Sequence, residues 1–417
     1  AMSPSDLTVQ LIHQHGQVLL LRMPDVNLSY EDDKFYASGK VLQEEGNKTL
    51  LNFSIEGRGV LTDESIAGTL YLEARSAEFF DRVLKTYHWE TVSIQNVDAS
   101  ARLWLSFDGF NVTSMQGNAQ ISRLNWLVAE KSVPPILNAT VDVQLTMAED
   151  KQFWFLNGLN LNWAGNKCET SRIQIIKEPV QVEVKASELN VKCVSRLTAA
   201  LGILPKELQD RLDTSLPDGA LNNINLTVRE LNDANILTET LVSNLSVPTQ
   251  KKHSISSFPI ERFDFEAELD NVSLKAYSGT PSVKGVDGYI KANTKGGGVY
   301  FESSRFELGF PDLFTNTWQM KRTEGAVSWV LKEDEIFVHS EGLRLYHQDD
   351  SIVYGDFFLR LNSDEKEDYL SLALGMQDIA FTNASKFVPS LIVGEDLNAW
   401  LDESLVSGVV TEGIYIG

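Results

Sequence analysis

Between Thr323 and Met376 the apolar residues recur at every second position, and this alternation constrains the fold more than any other feature of the chain. Val327, Trp329 and Leu331 are followed by Ile336 and Val338, then by Leu343 and Leu345. Val353, Phe357, Leu359 and Leu361 continue the series, which ends on Leu370, Leu372, Leu374 and Met376. A helix would place apolar residues three and four apart. A period of two belongs to strands, whose side chains point alternately to opposite faces. The interruptions are short and mostly acidic: Lys332–Glu335, His347–Asp350 and Asn362–Asp368. Short polar breaks join antiparallel neighbours. The expectation is a sheet of short strands built one hairpin at a time, greasy on one side and wet on the other, with the greasy side as the working surface.

The same grammar recurs elsewhere. Leu7-Val9-Leu11, Val18–Leu20, Val26-Leu28-Tyr30, Leu50–Ile55 and Thr69–Leu72 read as strands, as do residues 101–107, 141–147 and 224–228. Phe153–Trp163 is densely aromatic. Helical spacing replaces it at 76–87, where Ser76 suits an N-cap, at Ser195–Leu216, where Pro205 suits a first helical position, and at 384–405. Pro217-Asp218-Gly219 stops the second block. Leu208, Leu212, Asp213, Ser215, Leu216 and Gly219 recur at a fixed offset as Leu397, Leu401, Asp402, Ser404, Leu405 and Gly408. A repeated helix–Gly–strand unit suggests elongation by duplication. Residues 1–417 are therefore read as one continuous fragment with sub-blocks 1–192, 193–275 and 276–417. The polar stretch 233–257 is expected to be a mobile connection.

Chemistry is harder to find. With 36 basic against 58 acidic residues, a net charge of -22, the chain has no clustered Lys/Arg face for nucleic acid and would be repelled by anionic membrane surfaces. No apolar run reaches the ~18 residues of a membrane span, and no signal peptide is evident. Ala1-Met2 reads as a cloning scar, and Ile414-Tyr415-Ile416-Gly417 reads as mid-strand, so a soluble excerpt of a longer protein is expected. None of the six histidines shows HExxH spacing; His13 and His15, two apart, read as solvated, and His339 and His347 as surface residues. Gly296-Gly297-Gly298 lacks a following Lys-Ser/Thr and reads as a flexible turn. No catalytic residue, metal site or cofactor is expected. Nine Asn-x-Ser/Thr sequons, Asn27, Asn52, Asn111, Asn225 and Asn271 among them, read as an accident of a polar strand face.

Cys168 and Cys193 are the two cysteines. Lys177-Glu178-Pro179, midway between them, is a plausible turn between Ile173–Ile176 and Val180–Val184, and a hairpin there would set the thiols roughly opposite each other. A disulfide would then fit an oxidising compartment. Two unpaired buried thiols are the other reading.

Ala276–Pro281, Val286-Asp287-Gly288-Tyr289-Ile290, Phe306–Phe314 and Leu397–Gly413 resemble, in that order, the central region of the YhdP-type, AsmA-like bacterial envelope proteins. The likeness is close over residues 270–417 and looser from 60 to 230, through Tyr71-Leu72-Glu73, Arg102–Leu105 and Leu216–Gly219. The resemblance implies a mainly β chain: an elongated, curled antiparallel sheet folded like a taco around a hydrophobic groove, with a few short capping helices. It also implies a large protein anchored in the inner membrane by an N-terminal helix absent here, crossing the periplasm of a Gram-negative bacterium and carrying phospholipid towards the outer membrane. The expected partners are then phospholipid acyl chains, the inner membrane, and something unidentified on the outer-membrane side.

Strand parity nominates the residues that would line such a groove. They are Leu103, Leu105, Phe107, Val141, Val143, Leu145, Ile224, Leu226, Phe265 and Leu269, then Val327, Trp329, Leu331, Ile336, Val338, Leu343, Leu345, Phe357, Leu359, Leu370, Leu372 and Leu374. The same parity would also serve a closed β-sandwich of structural or scaffold function, whose apolar faces pack on each other. A glycan-processing enzyme would need two carboxylates converging in a cleft, and nothing in the spacing indicates them.

Overall fold

The computed structural model describes the chain except residues 1–4, 13–17, 43–47, 60–65, 76–78, 81–91, 110, 129, 202–205, 232–259, 278–279, 313, 333–334, 348–349, 363–367, 381–390, 392–393 and 405–406. The chain is mainly β, and its 21 strands are members of one antiparallel sheet that no described pairing closes into a barrel. By compactness it divides into two units. One comprises Ala1–Ser187 with Ala200–Gly202 and Arg229–Ile260; the other comprises Glu188–Ala199, Ile203–Val228 and Glu261–Gly417.

The first unit is built from β1 (Ser5–Ile12), β2 (Val18–Glu31), β3 (Lys34–Leu42), β4 (Thr49–Arg58), β5 (Ala67–Ala74), β6 (Val92–Asp108) and β7 (Asn111–Val128). The two-residue β8 (Lys131–Ser132), β9 (Ile136–Ala148), β10 (Lys151–Trp163), β11 (Asn166–Glu178) and β12 (Gln181–Asn190) follow. Each strand from β2 to β12 pairs with its predecessor, except that β9 passes the short β8, which pairs with the end of β7, and itself pairs with β7. Helices α1 (Val191–Leu201) and α2 (Lys206–Ser215) and strand β13 (Asp218–Leu231) come next. The second unit continues with β14 (Ile260–Leu274), β15 (Ser282–Asn293), β16 (Gly296–Gly309), β17 (Trp318–Leu331), β18 (Glu335–His347), β19 (Ile352–Asn362), β20 (Tyr369–Ala380), α3 (Glu395–Ser404) and β21 (Val409–Ile416). From β15 to β21 each strand is antiparallel to the one before it.

Several local expectations need correction. Most strands are long rather than short, and β18 alone spans both Ile336-Val338 and Leu343-Leu345. A bulge between His339 and Leu343 joins the two halves, with Gly342 at φ 62°. The extra residue shifts the parity, which is why the even-numbered pair and the odd-numbered pair share a face. The Asp356 carboxylate on β19 accepts the Gly342 N–H at 2.8 Å, and Asp287 does the same for the bulged Asn271 at 2.8 Å. Gly296–Gly298 is not a turn. Thr294-Lys295 turn, and the three glycines open β16, where Gly297 sits beneath Trp329.

The helical block begins at Val191, not Ser195, because Asn190 Oδ1 accepts the Cys193 N–H at 2.9 Å and caps the helix. It is two helices, and Pro205 lies outside the described residues. Of the helix expected at 76–87, Phe79 and Phe80 are helical and the remainder lies outside the described residues, as do Ser76, His13, His15 and the stretch 233–257. The block at 384–405 is described as a helix over Glu395–Ser404.

Within each unit much of the core lies towards one margin of the sheet, although Phe35, Leu145 and Val182 in the first unit and Ala267 in the second are buried away from it. In the first the margin holds Val41 at the end of β3, Leu50 at the start of β4, Ala74, Val97, Trp126 and Trp163, all buried. These positions alternate between strand ends and strand beginnings, so antiparallel pairing places them on the same side. The Trp126 and Trp163 indole N–H groups both donate to the Pro134 carbonyl at 2.9 Å, satisfying two buried donors on one acceptor. In the second unit Phe306, Met320, Ser351, Val353 and Ile379 form the corresponding packed margin. At the opposite ends of the same strands, Leu331, Ile336, Leu361 and Leu370 are exposed.

Candidate functional site

Directly opposed residues of an antiparallel pair lie on the same face, so the register can be followed strand by strand across the sheet. In the first unit one such row runs Leu28–Ala37–Ile55–Leu70–Leu105–Met115–Leu145–Trp154–Ile175–Val184. Its neighbour runs Val26–Gly39–Phe53–Leu72–Leu103–Gly117–Val143–Leu156–Ile173–Ala186. Neither row contains a polar side chain over ten strands. In the second unit a shorter row of the same kind runs Phe265–Ala292–Gly297–Trp329–Val338–Leu359–Leu370.

These rows are not packed away. In the first, Leu145 is buried and the other nine are half-exposed; in the second, only Val26 and Ala186 are buried. The middle of a face-to-face sandwich would bury such positions. Glycines contribute to this by letting side chains of the same face lie flat on the sheet. Phe53 lies over Gly39, Phe35 over Gly57, Phe107 over Gly68 and Leu103 over Gly117, each pair directly opposed.

The structure brings most of the nominated residues together. Leu105 and Leu145 fall in the first row, Leu103 and Val143 in the second, and Phe107 and Val141 lie on the same face of β6 and β9. Phe265, Trp329, Val338, Leu359 and Leu370 form the second unit's row, with Leu331 opposite Ile336, Leu343 and Leu374 both opposite Gly355, and Phe357 opposite Leu372. Val327 is opposed by Val299 and by Ser340, Leu269 by Gly288, and Leu345 by Thr323 and Val353. Ile224 is buried, as Leu145 is, and Leu226 is half-buried. Strand parity alone missed Met115, Trp154, Leu156, Ile173, Ile175 and Val184. Their alternation was present in the sequence, but only the register joins them to the rest.

The opposite face is polar. Ser38, Ser54, Tyr71, Trp104, Gln116, Gln144, Phe155, Gln174 and Lys185 form one of its rows. Charges pair across strands on this side: Arg102 with Glu73 at 3.0 Å, Lys284 with Glu307 at 3.1 Å, and Arg322 with Glu302 at 2.8 Å. Hydrogen bonds from Arg75 and then Arg102 hold the Glu73 carboxyl below its usual range. A hydrogen bond from Tyr346, reinforced by Arg322 and Arg344, does so for Glu324. Asn27, Asn111 and Asn271 are exposed, while Asn52 and Asn225 are half-buried.

Both cysteines are disulfide-bonded. Glu178 pairs with Gln181 about a two-residue turn at Pro179-Val180, so Lys177 and Glu178 are strand and Val180 is turn, a small shift from the expected hairpin. Lys151 holds Glu178 in its strand at 2.6 Å. Among the described residues no group of three or more His, Cys, Asp or Glu could hold a metal ion, and no helix is long and apolar enough to cross a membrane.

Neither the curated proteins nor the solved structures gave a match to this chain. A family model described as "YhdP protein" matches residues 2–414. With its apolar strand rows and polar outer face, the chain belongs to the YhdP family.

Proposed function

We propose that this chain binds phospholipid acyl chains along the apolar face of its sheet, as a segment of a bridge that carries lipid through the periplasm between inner and outer membranes. The observation that carries the reading is the pair of ten-residue apolar rows in the first unit, continuous from strand to strand and half-exposed except at Leu145, Val26 and Ala186. A two-chain phospholipid has on the order of thirty methylenes, and exposing them costs about 24 kcal/mol at ~0.8 kcal/mol each. A carrier must replace that contact without interruption, and it needs no reactive group to do so. Membership of the YhdP family, a bacterial envelope family, supports the setting. The packed margin would hold the strands while the opposite margin leaves room for head groups to stay wet. The acidic surface, at a net charge of -22, keeps a protein with so much accessible apolar area from self-associating.

The decisive experiment is organic extraction of the purified protein followed by mass spectrometry. Phospholipid recovered in stoichiometric amounts supports the reading; protein that is folded and lipid-free after native purification counts against it. The packed margins favour a second reading, a periplasmic scaffold with a closed core. Under that reading no lipid would be recovered, and charged substitutions on the apolar rows would unfold the protein.

A further inference from the structure

The polar face of the first unit carries three aromatic residues in one row, Tyr71, Trp104 and Phe155, and the most exposed of them is Trp104. Trp104 lies between Leu103 and Leu105, so its indole points away from the apolar rows, onto a face made mostly of Ser, Thr, Gln, Asn and charged residues. It remains 37% exposed, its ring centroid 5.0 Å from that of Tyr71 and tilted by 44°. Beside it is a shallow depression of about 330 Å³, lined by the polar Gln116, Asn118, Asp142, Gln144 and Asn157 and also by Gly117 and Val143. The register explains why they converge. Trp104, Gln116 and Gln144 are successive cross-strand partners, and so are Asn118, Asp142 and Asn157 one step along the strands.

We propose that this depression is a saccharide-binding platform. A pyranose ring has an apolar C–H face and a rim of hydroxyls. The indole offers a flat apolar surface of matching kind, and the side-chain amides and the Asp142 carboxylate offer donors and acceptors for vicinal hydroxyls. An acyl chain would leave those amides unpaired, and a polyanion would meet Asp142. The volume is at the small end of ligand sites, about 300–1,000 Å³, which fits one or two sugar units of a longer chain lying across the sheet. The Trp104 indole and the polar side chains of the site are on the opposite face from the apolar rows, so the proposal does not depend on what those rows bind.

Calorimetric titration of the whole chain with chitohexaose and with cellohexaose tests the assignment. Binding of either oligosaccharide at millimolar concentration is expected, with Trp104→Ala weakening it at least about tenfold, equivalent to 1.4 kcal/mol. Gln144→Ala should weaken it several-fold, and Trp400→Ala, which alters an exposed indole on α3, should leave it unchanged. If Trp104→Ala does not fold, the exposed Gln144→Ala variant decides between the outcomes. Failure to bind either sugar, or affinity unchanged in the Trp104 or Gln144 variant, would overturn the proposal.

Discussion

Trp329 on β17 lies across Gly297 on β16, so closely that a Cβ at position 297 would stand 2.6 Å from the indole Cζ2. The same Cβ would be 2.5 Å from the Lys291 carbonyl oxygen on the other side, so the β15 side can yield only by moving backbone and the β17 side only by displacing the indole. Gly297→Ala is therefore expected to destabilise the second unit by about 1–3 kcal/mol, the usual cost of overpacking. Urea denaturation monitored by Trp fluorescence would measure it; a loss below a few tenths would mean the indole does not lie there.

The apolar face and the packed margin should respond differently to a charge. Leu343→Asp and Leu372→Asp, at half-exposed positions, are expected to retain native circular dichroism while losing copurified lipid. Met320→Asp, where the side chain is 1% exposed, would bury an unpaired carboxylate and should unfold the second unit. If all three variants unfold alike, the face is an ordinary closed core.

The Cys168–Cys193 loop spans 25 positions (193 minus 168), so opening the bond frees a chain of that length in the unfolded state. Replacing both cysteines by serine should cost about 3 kcal/mol. A dithiothreitol-dependent fall in melting temperature that the double variant does not show would confirm the source.

Glu324 is held ionised by the Tyr346 hydroxyl, Arg322 and Arg344, which lowers its pKa below that of the unfolded chain. A lowered carboxylate pKa contributes stability that is fully present above the unfolded value, about 4.3 for Glu, and is lost as pH falls through the folded value. Glu324→Gln should therefore melt below wild type at pH 7, and the gap should close as the pH is lowered beneath about 4. A gap that persists or widens on acidification would show that the interaction is not ionic.

Much of the architecture was legible before any coordinates. The alternation at 327–331, 353–361 and 370–376, the acidic breaks, and the hairpin between the cysteines depend on local backbone geometry, because Cβ directions repeat every two residues whatever the strand pairs with. That locality also explains the errors. Gly296–Gly298 carries turn-like composition, but it is strand, paired with β17 and lying against Trp329, 32 positions after Gly297 in sequence (329 minus 297). The parity shift between Val338 and Leu343 was present in the residue pattern, yet the bulge that produces it rests on Asp356 of another strand.

What the sequence determined by itself is a two-faced antiparallel sheet, apolar on one side and acidic and polar on the other; it left the pairing of its two cysteines open, and the structure closed it as a disulfide. Only the tertiary structure decided which apolar residues join into continuous rows, and that one margin of each unit packs while the face beside it stays accessible. Leu145 and Leu105 are alike by parity and opposed to the same Met115, yet Leu145 is buried and Leu105 half-exposed. Alternation decides the direction of a side chain, whereas burial depends on the neighbours that long-range register brings to both flanks, Leu70 beside Leu105 but Trp154 beside Leu145.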